Sequence, residues 1–316
     1  MAQTLQLTVV IPAYNEGAAI TSVLNELKAL LDRAGIAAEI IVVDDGSTDG
    51  TAEAALQAGV RVLQHHSNRG YGAALKTGIL SAQSEVVAIT DADGTYPAQR
   101  LPEMLKLIDE ADMVVGARTG RNVRIPLARK PAKWFLNRLA NYVAAARIPD
   151  LNSGLRVFRR SVVMQYLHML PDQFSFTTTI TLAMVCDKYA VRYVPIDYRA
   201  RTGKSKIVPL DAGRFLVLVL RMAVLFRPLR VFWPLVAICL GYGFAKAFID
   251  LAITGDRNIS ASAILALLSS LIILLVGMVA DALAVRMGRV YTDGLSRVQA
   301  RELTPAQTGD AEEGRP

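Results

Sequence analysis

From Leu7 to Ala117 the chain repeats one pattern, a short β-branched apolar run followed by a stretch with helical spacing. Leu7 to Pro12 (LTVVIP) suits a buried parallel strand, and Ala13 to Gly17 (AYNEG) breaks it into a loop. Ile20, Val23, Leu24, Leu27, Leu30 and Leu31 then recur on one helical face, with Gly35 where a C-terminal cap is expected. Further strand-like runs are Glu39–Val43, Val60–Gln64, Val86–Thr90 and Met113–Ala117, separated by helix-like stretches around Thr51–Gln57, Gly72–Gln83 and Gln99–Ile108. This alternation predicts an α/β fold, a Rossmann-like and mostly parallel sheet with helices on both faces. Its ligands belong at the carboxyl ends of the strands.

The texture changes at Asp211. Phe215, Leu216, Leu218, Val219, Leu220, Met222, Leu225 and Phe226 are punctuated by Arg214, Arg221, Arg227 and Arg230, which predicts an amphipathic segment on a membrane surface. Two apolar runs follow, Val231 to Ile253 and Ile259 to Ala280, each near the roughly 20 residues that cross a bilayer. They predict a transmembrane hairpin; the competing reading is a buried helical pair in a soluble core. Basic residues flank both outer ends, including Arg286 and Arg289, whereas the connection TGDRN holds only Arg257, so both termini are expected in the cytoplasm. The expected organisation is a catalytic domain over 1–210, a juxtamembrane segment over 211–230, a hairpin over 231–285, and a cytoplasmic basic segment with a polar, disordered tail over 286–316. The N-terminus lacks a basic region followed by an apolar stretch, so no secretory signal is expected.

Composition adds little until it is localised. Hydrophobic residues make up 52% of the 316 and the mean hydropathy is +0.32, with the apolar excess in the last third. A net charge of +7 suits an anionic partner, and charge alone does not choose among nucleic acid, phosphate ligands and anionic lipid. Cys186 and Cys239 lie far apart with no paired spacing, which points to neither a redox nor a zinc role.

Candidate chemistry begins at Asp91-Ala92-Asp93, immediately after an apolar strand. Two carboxylates one residue apart can hold a hard divalent cation, which can neutralise a diphosphate leaving group; the plainer reading is a solvated turn. A second pair, Asp44-Asp45, ends a neighbouring strand and can accept hydrogen bonds from a base or ribose, although Asp45 or Ser47 can also simply cap the next helix. Between Arg118 and Arg138 stand Arg121, Arg124, Arg129, Lys130 and Lys133 with no acidic residue among them. That cluster suits phosphate-bearing substrates, or a basic surface attracted to lipid headgroups. Trp134, Phe135, Leu139, Tyr142 and Val143 form an apolar stripe behind it, suited to a helix half sunk at the interface or to ordinary core.

The motifs VVIPAYNE at Val9–Glu16, VVDDGSTDGT at Val42–Thr51, DADG at Asp91–Gly94, GAR at Gly116–Arg118, DLNSGLRVFRR at Asp150–Arg160 and GKSK at Gly203–Lys206 together resemble the family 2 glycosyltransferases of the GT-A fold. Within that family the likeness is to polyprenyl-phosphate sugar transferases such as dolichyl-phosphate mannose synthase. The resemblance implies that Pro12, Tyr14, Asn15, Glu16, Asp44, Asp45 and Asp91 surround the donor nucleotide, and that Asp91 and Asp93 meet the diphosphate and a Mg2+ or Mn2+ ion. It further implies Arg118, Arg129, Ser153, Arg201, Ser205 and Lys206 at the acceptor phosphate, with Asp91, Asp93 and Arg118 as the catalytic set; Asp150 is a candidate helper to them, its plainer reading a turn residue. Many relatives place a Gln two residues after the second Asp; Thr95 stands here and leaves both metals open. The QxxRW motif of processive synthases is missing around Trp134 and Trp233, so a single transfer is expected. GKS here lacks the upstream glycine and strand-to-helix setting of an ATP-binding loop.

The implied reaction is an inverting transfer from UDP-glucose or GDP-mannose to undecaprenyl or dolichyl phosphate at the cytoplasmic membrane, with no nucleic acid as partner. A phosphate acceptor needs no base, because its second ionisation lies near pH ~6. Lys246 and Asp250, one helical turn apart in the first apolar run, suit a contact between packed helices or between subunits of a homo-oligomer. His65 and His66 read as structural. The rival readings are a membrane-associated nucleotidyltransferase and an inactive scaffold for a lipid-linked sugar flippase.

Overall fold

The computed structural model describes residues 6–120, 138–198, 211–252, 258–287 and 301–303. These divide into two units: 6–120, 148–198 and 301–303 in one, and 138–147, 211–252 and 258–287 in the other.

The first unit is built on one sheet. β1 (Leu7–Ala13), β2 (Ala38–Asp44), β3 (Arg61–Gln64) and β4 (Val86–Ile89) are parallel, in the spatial order β3-β2-β1-β4. All seven residues of β1 are buried, as a central strand covered on both faces requires. α1 (Gly17–Ala34) follows β1 and buries Ile20, Leu24, Leu27 and Leu31. It ends at Gly35, in the left-handed region at φ 65°, with Ile36 N–H donating back to the Leu31 carbonyl at 3.0 Å. α2 (Thr51–Gln57), α3 (Tyr71–Ser81) and α4 (Leu101–Leu107) complete the crossovers, so the expected order of strands and helices is the observed one.

Beyond β4 the sheet departs from a parallel pattern. β5 (Met113–Ala117) is not beside β4; β6 (Arg156–Arg159) lies between them and runs antiparallel to both. β7 (Val191–Pro195) extends the sheet parallel to β5, and β8 (Arg301–Leu303) pairs antiparallel to β3 at the other edge. The full order is β7-β5-β6-β4-β1-β2-β3-β8. β8 lies at the end of the expected basic segment, and the expected disordered tail, 304–316, lies outside the described residues.

In the second unit a helix over Asp211–Phe226 buries Val219, Met222 and Ala223 and exposes Val217 and Leu220. Helices Pro228–Ala252 and Ala261–Met287 follow, both long and apolar enough to cross a membrane. Only 17% of the apolar stretch of each is buried, which a soluble core would not leave exposed. Asp250 joins their ends: it accepts from the Lys246 ammonium one turn back and from the Ser260 backbone N–H at 2.9 Å. Lys246 and Asp250 are therefore a contact within the hairpin. Residues 138–147, expected in the catalytic domain, group with these helices. There the Tyr142 hydroxyl donates to the Arg230 carbonyl at 3.0 Å, and the Arg230 guanidinium donates to the Tyr142 carbonyl at 2.7 Å. Trp134 and Phe135 lie outside the described residues.

The N-terminal turn of α3 is clamped against residues 171–173. A Cβ on Gly72 would stand 2.1 Å from the Pro171 carbonyl oxygen, a backbone atom that cannot rotate away. Gly72→Ala is accordingly expected to destabilise the first unit by about 1–3 kcal/mol, the usual cost of overpacking. A lowered thermal midpoint of the purified chain checks this.

Candidate active site

The site lies where β1, β2 and β4 end. Pairing between β1 and β4 stops at Val10 and Ile89, whereas β1 and β2 stay paired through Pro12 opposite Val43 and Ala13 opposite Asp44. Pro12, which has no N–H, falls just beyond the β4 ladder where that donor is not required. This is the crevice at which strand order reverses, the usual ligand position in such sheets.

The first loop is laced to the second by backbone donors. Asn15, in the left-handed region at φ 56°, donates its N–H to Ser47 Oγ at 2.9 Å, and its Oδ1 accepts from the Thr48 N–H at 2.9 Å. Glu16 N–H donates to Thr51 Oγ1 at 3.0 Å and Gly17 N–H to Asp49 Oδ2 at 3.0 Å. Tyr14 begins this loop and is half-buried. Asp44 and Asp45 build the second loop. Asp44, fully buried, accepts from the Ser47 N–H and from Gln64 Nε2 at 2.9 Å. Asp45 accepts from the backbone N–H groups of Arg69 and Gly70 at 2.9 and 2.8 Å and lies 2.6 Å from His65 Nδ1. Both carboxylates therefore hold together the loops that flank the crevice, and His65 is structural.

Asp91 and Asp93 follow β4. Tyr71 donates its hydroxyl to Asp91 Oδ1 at 2.9 Å, and Gly154 closes on the same carboxylate, where a Cβ would stand 2.7 Å from Oδ1. Burial, and then the charge of Asp91, hold the Tyr71 phenol well above its ordinary pKa, so it remains a donor. Thr95 donates both its N–H and its hydroxyl to Asp93 Oδ1, at 3.1 and 2.6 Å. Thr95 thus fixes the second aspartate rather than reaching past it. Among the described residues no group of three His, Cys, Asp or Glu stands ready as a metal cage. Two hard carboxylate ligands still fit a divalent ion whose remaining ligands are diphosphate oxygens and water.

Antiparallel β6 delivers the third wall, because Arg156 at its start pairs opposite Ile89 and Val115 near the ends of β4 and β5. Asp150 accepts three bonds from Arg118, from N–H, Nε and Nη2 at 3.0, 2.7 and 2.9 Å, and one from the Asn152 N–H at 3.0 Å. Burial alone would raise the Asp150 carboxyl; the Arg118 guanidinium and the two N–H groups outweigh it and hold its pKa below the ordinary value. The guanidinium of Arg118 also lies 5.4 Å from the ring centre of Tyr198, which packs edge-on against Tyr96. Asp150 is therefore the anchor of Arg118. Ser153 is fully buried and donates its hydroxyl to the Gly116 carbonyl, which ties this loop to β5. Arg156, fully buried, donates to the carbonyls of Ser153 and Leu151 at 2.7 and 2.8 Å.

Arg129, Arg201, Ser205 and Lys206 lie outside the described residues, as does the rest of the basic run from Arg121 to Arg124 and Lys130 to Lys133. Tyr71, Tyr96, Arg156 and Tyr198 were not singled out from the sequence. Arg156 stands inside a quoted motif and was legible there; the three tyrosines carry no local signal, since their partners are distant in the chain.

Asp150→Asn keeps the shape and removes the charge that Arg118 faces. The expected loss is about 3 kcal/mol of stability, as for breaking a buried pair from one side. Because the folded pKa of Asp150 is depressed, its contribution is present above the unfolded value of about 3.9 and is lost only as pH falls through the lower folded value. The gap in thermal midpoint between wild type and variant should be constant from about pH 8 to about pH 5 and close only in stronger acid.

Residues 8–167 match the model of "Glycosyl transferase family 2", and residues 227–285 match "GtrB C-terminal hairpin". Curated relatives include a dolichyl-phosphate hexose transferase of Haloferax volcanii, 33% identical over 66% of this chain and 89% of the relative. Another is an undecaprenyl-phosphate 4-deoxy-4-formamido-L-arabinose transferase of Edwardsiella ictaluri, 29% identical over 93% of each chain. Solved structures of similar fold include glucosyl-3-phosphoglycerate synthase of Mycobacterium tuberculosis in complex with Mn2+, UDP-glucose and phosphoglyceric acid. It has a TM-score of 0.55 at 22% identity over 69% of this chain and 79% of that one. With the family match spanning half of the chain, from β1 through β6 and all three walls of the crevice, the chain belongs to the family 2 glycosyltransferases.

Proposed function

We propose that this enzyme transfers one sugar, with inversion, from a nucleotide-diphosphate donor of the UDP-glucose or GDP-mannose class to a polyprenyl phosphate at the cytoplasmic membrane face. The observation that carries this reading is the pairing of two features in one chain. Asp91 and Asp93 stand at the carboxyl end of β4 with Arg118 held on the same sheet edge, and the chain continues into two helices with exposed apolar faces. The relatives named for dolichyl and undecaprenyl phosphate support the acceptor class, and the flanking arginines support cytoplasmic termini.

In this reading the loops after β1 and β2 take the nucleoside, with Asn15 and Ser47 locking them together. Asp91 and Asp93 would hold Mg2+ or Mn2+, which would supply charge neutralisation at the leaving diphosphate. Arg118, fixed by Asp150, faces the acceptor phosphate with Arg129, Arg201, Ser205 and Lys206. The acceptor dianion attacks the anomeric carbon from the face opposite the diphosphate, so the new bond has inverted configuration and no protein base is needed.

Membranes carrying the chain, offered labelled nucleotide sugars and polyprenyl phosphate, should yield a lipid-soluble sugar phosphate and free nucleoside diphosphate. Asp93→Asn should lower the rate about 100-fold or more with metal in excess. Undiminished transfer by that variant would refute the role of Asp93. Pyrophosphate release from a sugar phosphate and a nucleoside triphosphate would instead identify a nucleotidyltransferase.

A further inference from the structure

Asp91 is held from two sides by groups distant in the chain. On one side the Gly154 backbone leaves no room, since a Cβ there would stand 2.7 Å from Oδ1 and 2.9 Å from Oδ2. On the other the Tyr71 hydroxyl donates to Oδ1 at 2.9 Å. Tyr71 is the first residue of α3 and is delivered by a rigid turn. Asp45 fixes Arg69 and Gly70 just before it. Ala73 N–H donates to the Asp172 carbonyl at 3.0 Å, and Lys76 pairs with the Asp172 carboxylate at 2.7 Å. The Tyr71 ring stacks on Phe174, centroids 5.4 Å apart and planes 15° from parallel, although Phe174 itself is 71% exposed. Packing with Phe174 and hydrogen bonding to Asp91 are thus separate properties of one side chain, and substitution can remove either alone.

We infer that Tyr71 is a positioning residue whose hydroxyl sets the orientation of Asp91 toward the metal-bound diphosphate of the donor. This rests on the donor site proposed above. A hydrogen bond from a fixed phenol restrains rotation of the Asp91 carboxylate about its Cβ–Cγ bond. An oriented carboxylate binds a cation more tightly because it loses less freedom on binding. The effect therefore belongs to nucleotide binding in the presence of metal, and binding of the nucleotide alone should not sense it.

The test uses the purified full chain in detergent, titrated calorimetrically with UDP and with GDP, in Mn2+ and in EDTA. Tyr71→Phe keeps the ring and its stacking and should weaken binding in Mn2+ roughly tenfold, the usual worth of a hydrogen bond to a charged group, with binding in EDTA unchanged. Phe174→Ala removes the stacking and keeps the hydroxyl, and should bind in Mn2+ within about twofold of wild type while melting at a lower temperature. The inference is overturned if Tyr71→Phe binds as wild type in Mn2+, if it loses as much in EDTA, or if Phe174→Ala loses as much as Tyr71→Phe. A wild-type chain that binds neither nucleotide under either condition overturns the donor-site reading itself, and this inference with it.

Discussion

β6 runs against its neighbours, and the arrangement of the site follows from that reversal. A strand entering the sheet from the opposite direction presents the loop before it, rather than the loop after it, at the edge where β4 and β5 end. The register places Arg156 opposite both Ile89 and Val115. Asp150, Ser153 and Gly154 are thereby brought to the carboxyl ends of parallel strands far from them in sequence. A parallel β6 would carry the same residues to the other end of the sheet, away from Asp91 and Arg118.

The polar groups in this wall are arranged by the cost of burying charge. A guanidinium as buried as that of Arg156 is tolerable only with its donors satisfied, and the Leu151 and Ser153 carbonyls with the Thr181 hydroxyl satisfy it. The same bonds define the loop between Asp150 and Arg156, so one buried cation makes that loop rigid. Ser153 adds its bond to Gly116, and the rigid loop then offers Gly154 to Asp91. One wall against the Asp91 carboxylate thus descends from hydrogen bonding within β6 and its lead-in.

The parallel part of this fold was legible because periodicity encodes it: β-branched runs buried on both faces, a single helical stripe in α1, and a glycine cap at Gly35. The hairpin was legible for a different reason, the length and apolarity of its two runs. β6 was not, since RVFR is short and carries two arginines, one of them buried by contacts that no local pattern announces. The motifs identified Asp91, Asp93, Arg118, Asp150 and Ser153 as neighbours, but roles depend on which atoms meet. Ser153 proved to face a backbone carbonyl, and Thr95, standing where many relatives carry Gln, proved to hold Asp93. Tyr71 reaches Asp91 across 20 residues of chain, a separation over which spacing carries no information.

Charge balance limits what the Arg118 pair can do by itself. Asp150 faces Arg118 with two oxygens, so together they bring direction and hydrogen-bond donors but almost no net positive charge to the edge of the sheet. Tyr71 is neutral, and Asp91 and Asp93 are anionic. In the proposed reading a divalent ion on Asp91 and Asp93 would offset the donor diphosphate, and a phosphate dianion as acceptor would call for further positive charge. The chain carries it in quantity, from Arg121 to Arg138 and again at Arg201, Lys204 and Lys206. In the proposed reading those basic residues share the acceptor phosphate with Arg118, while the edge of the sheet supplies geometry: an arginine whose direction Asp150 fixes and an aspartate restrained by Tyr71.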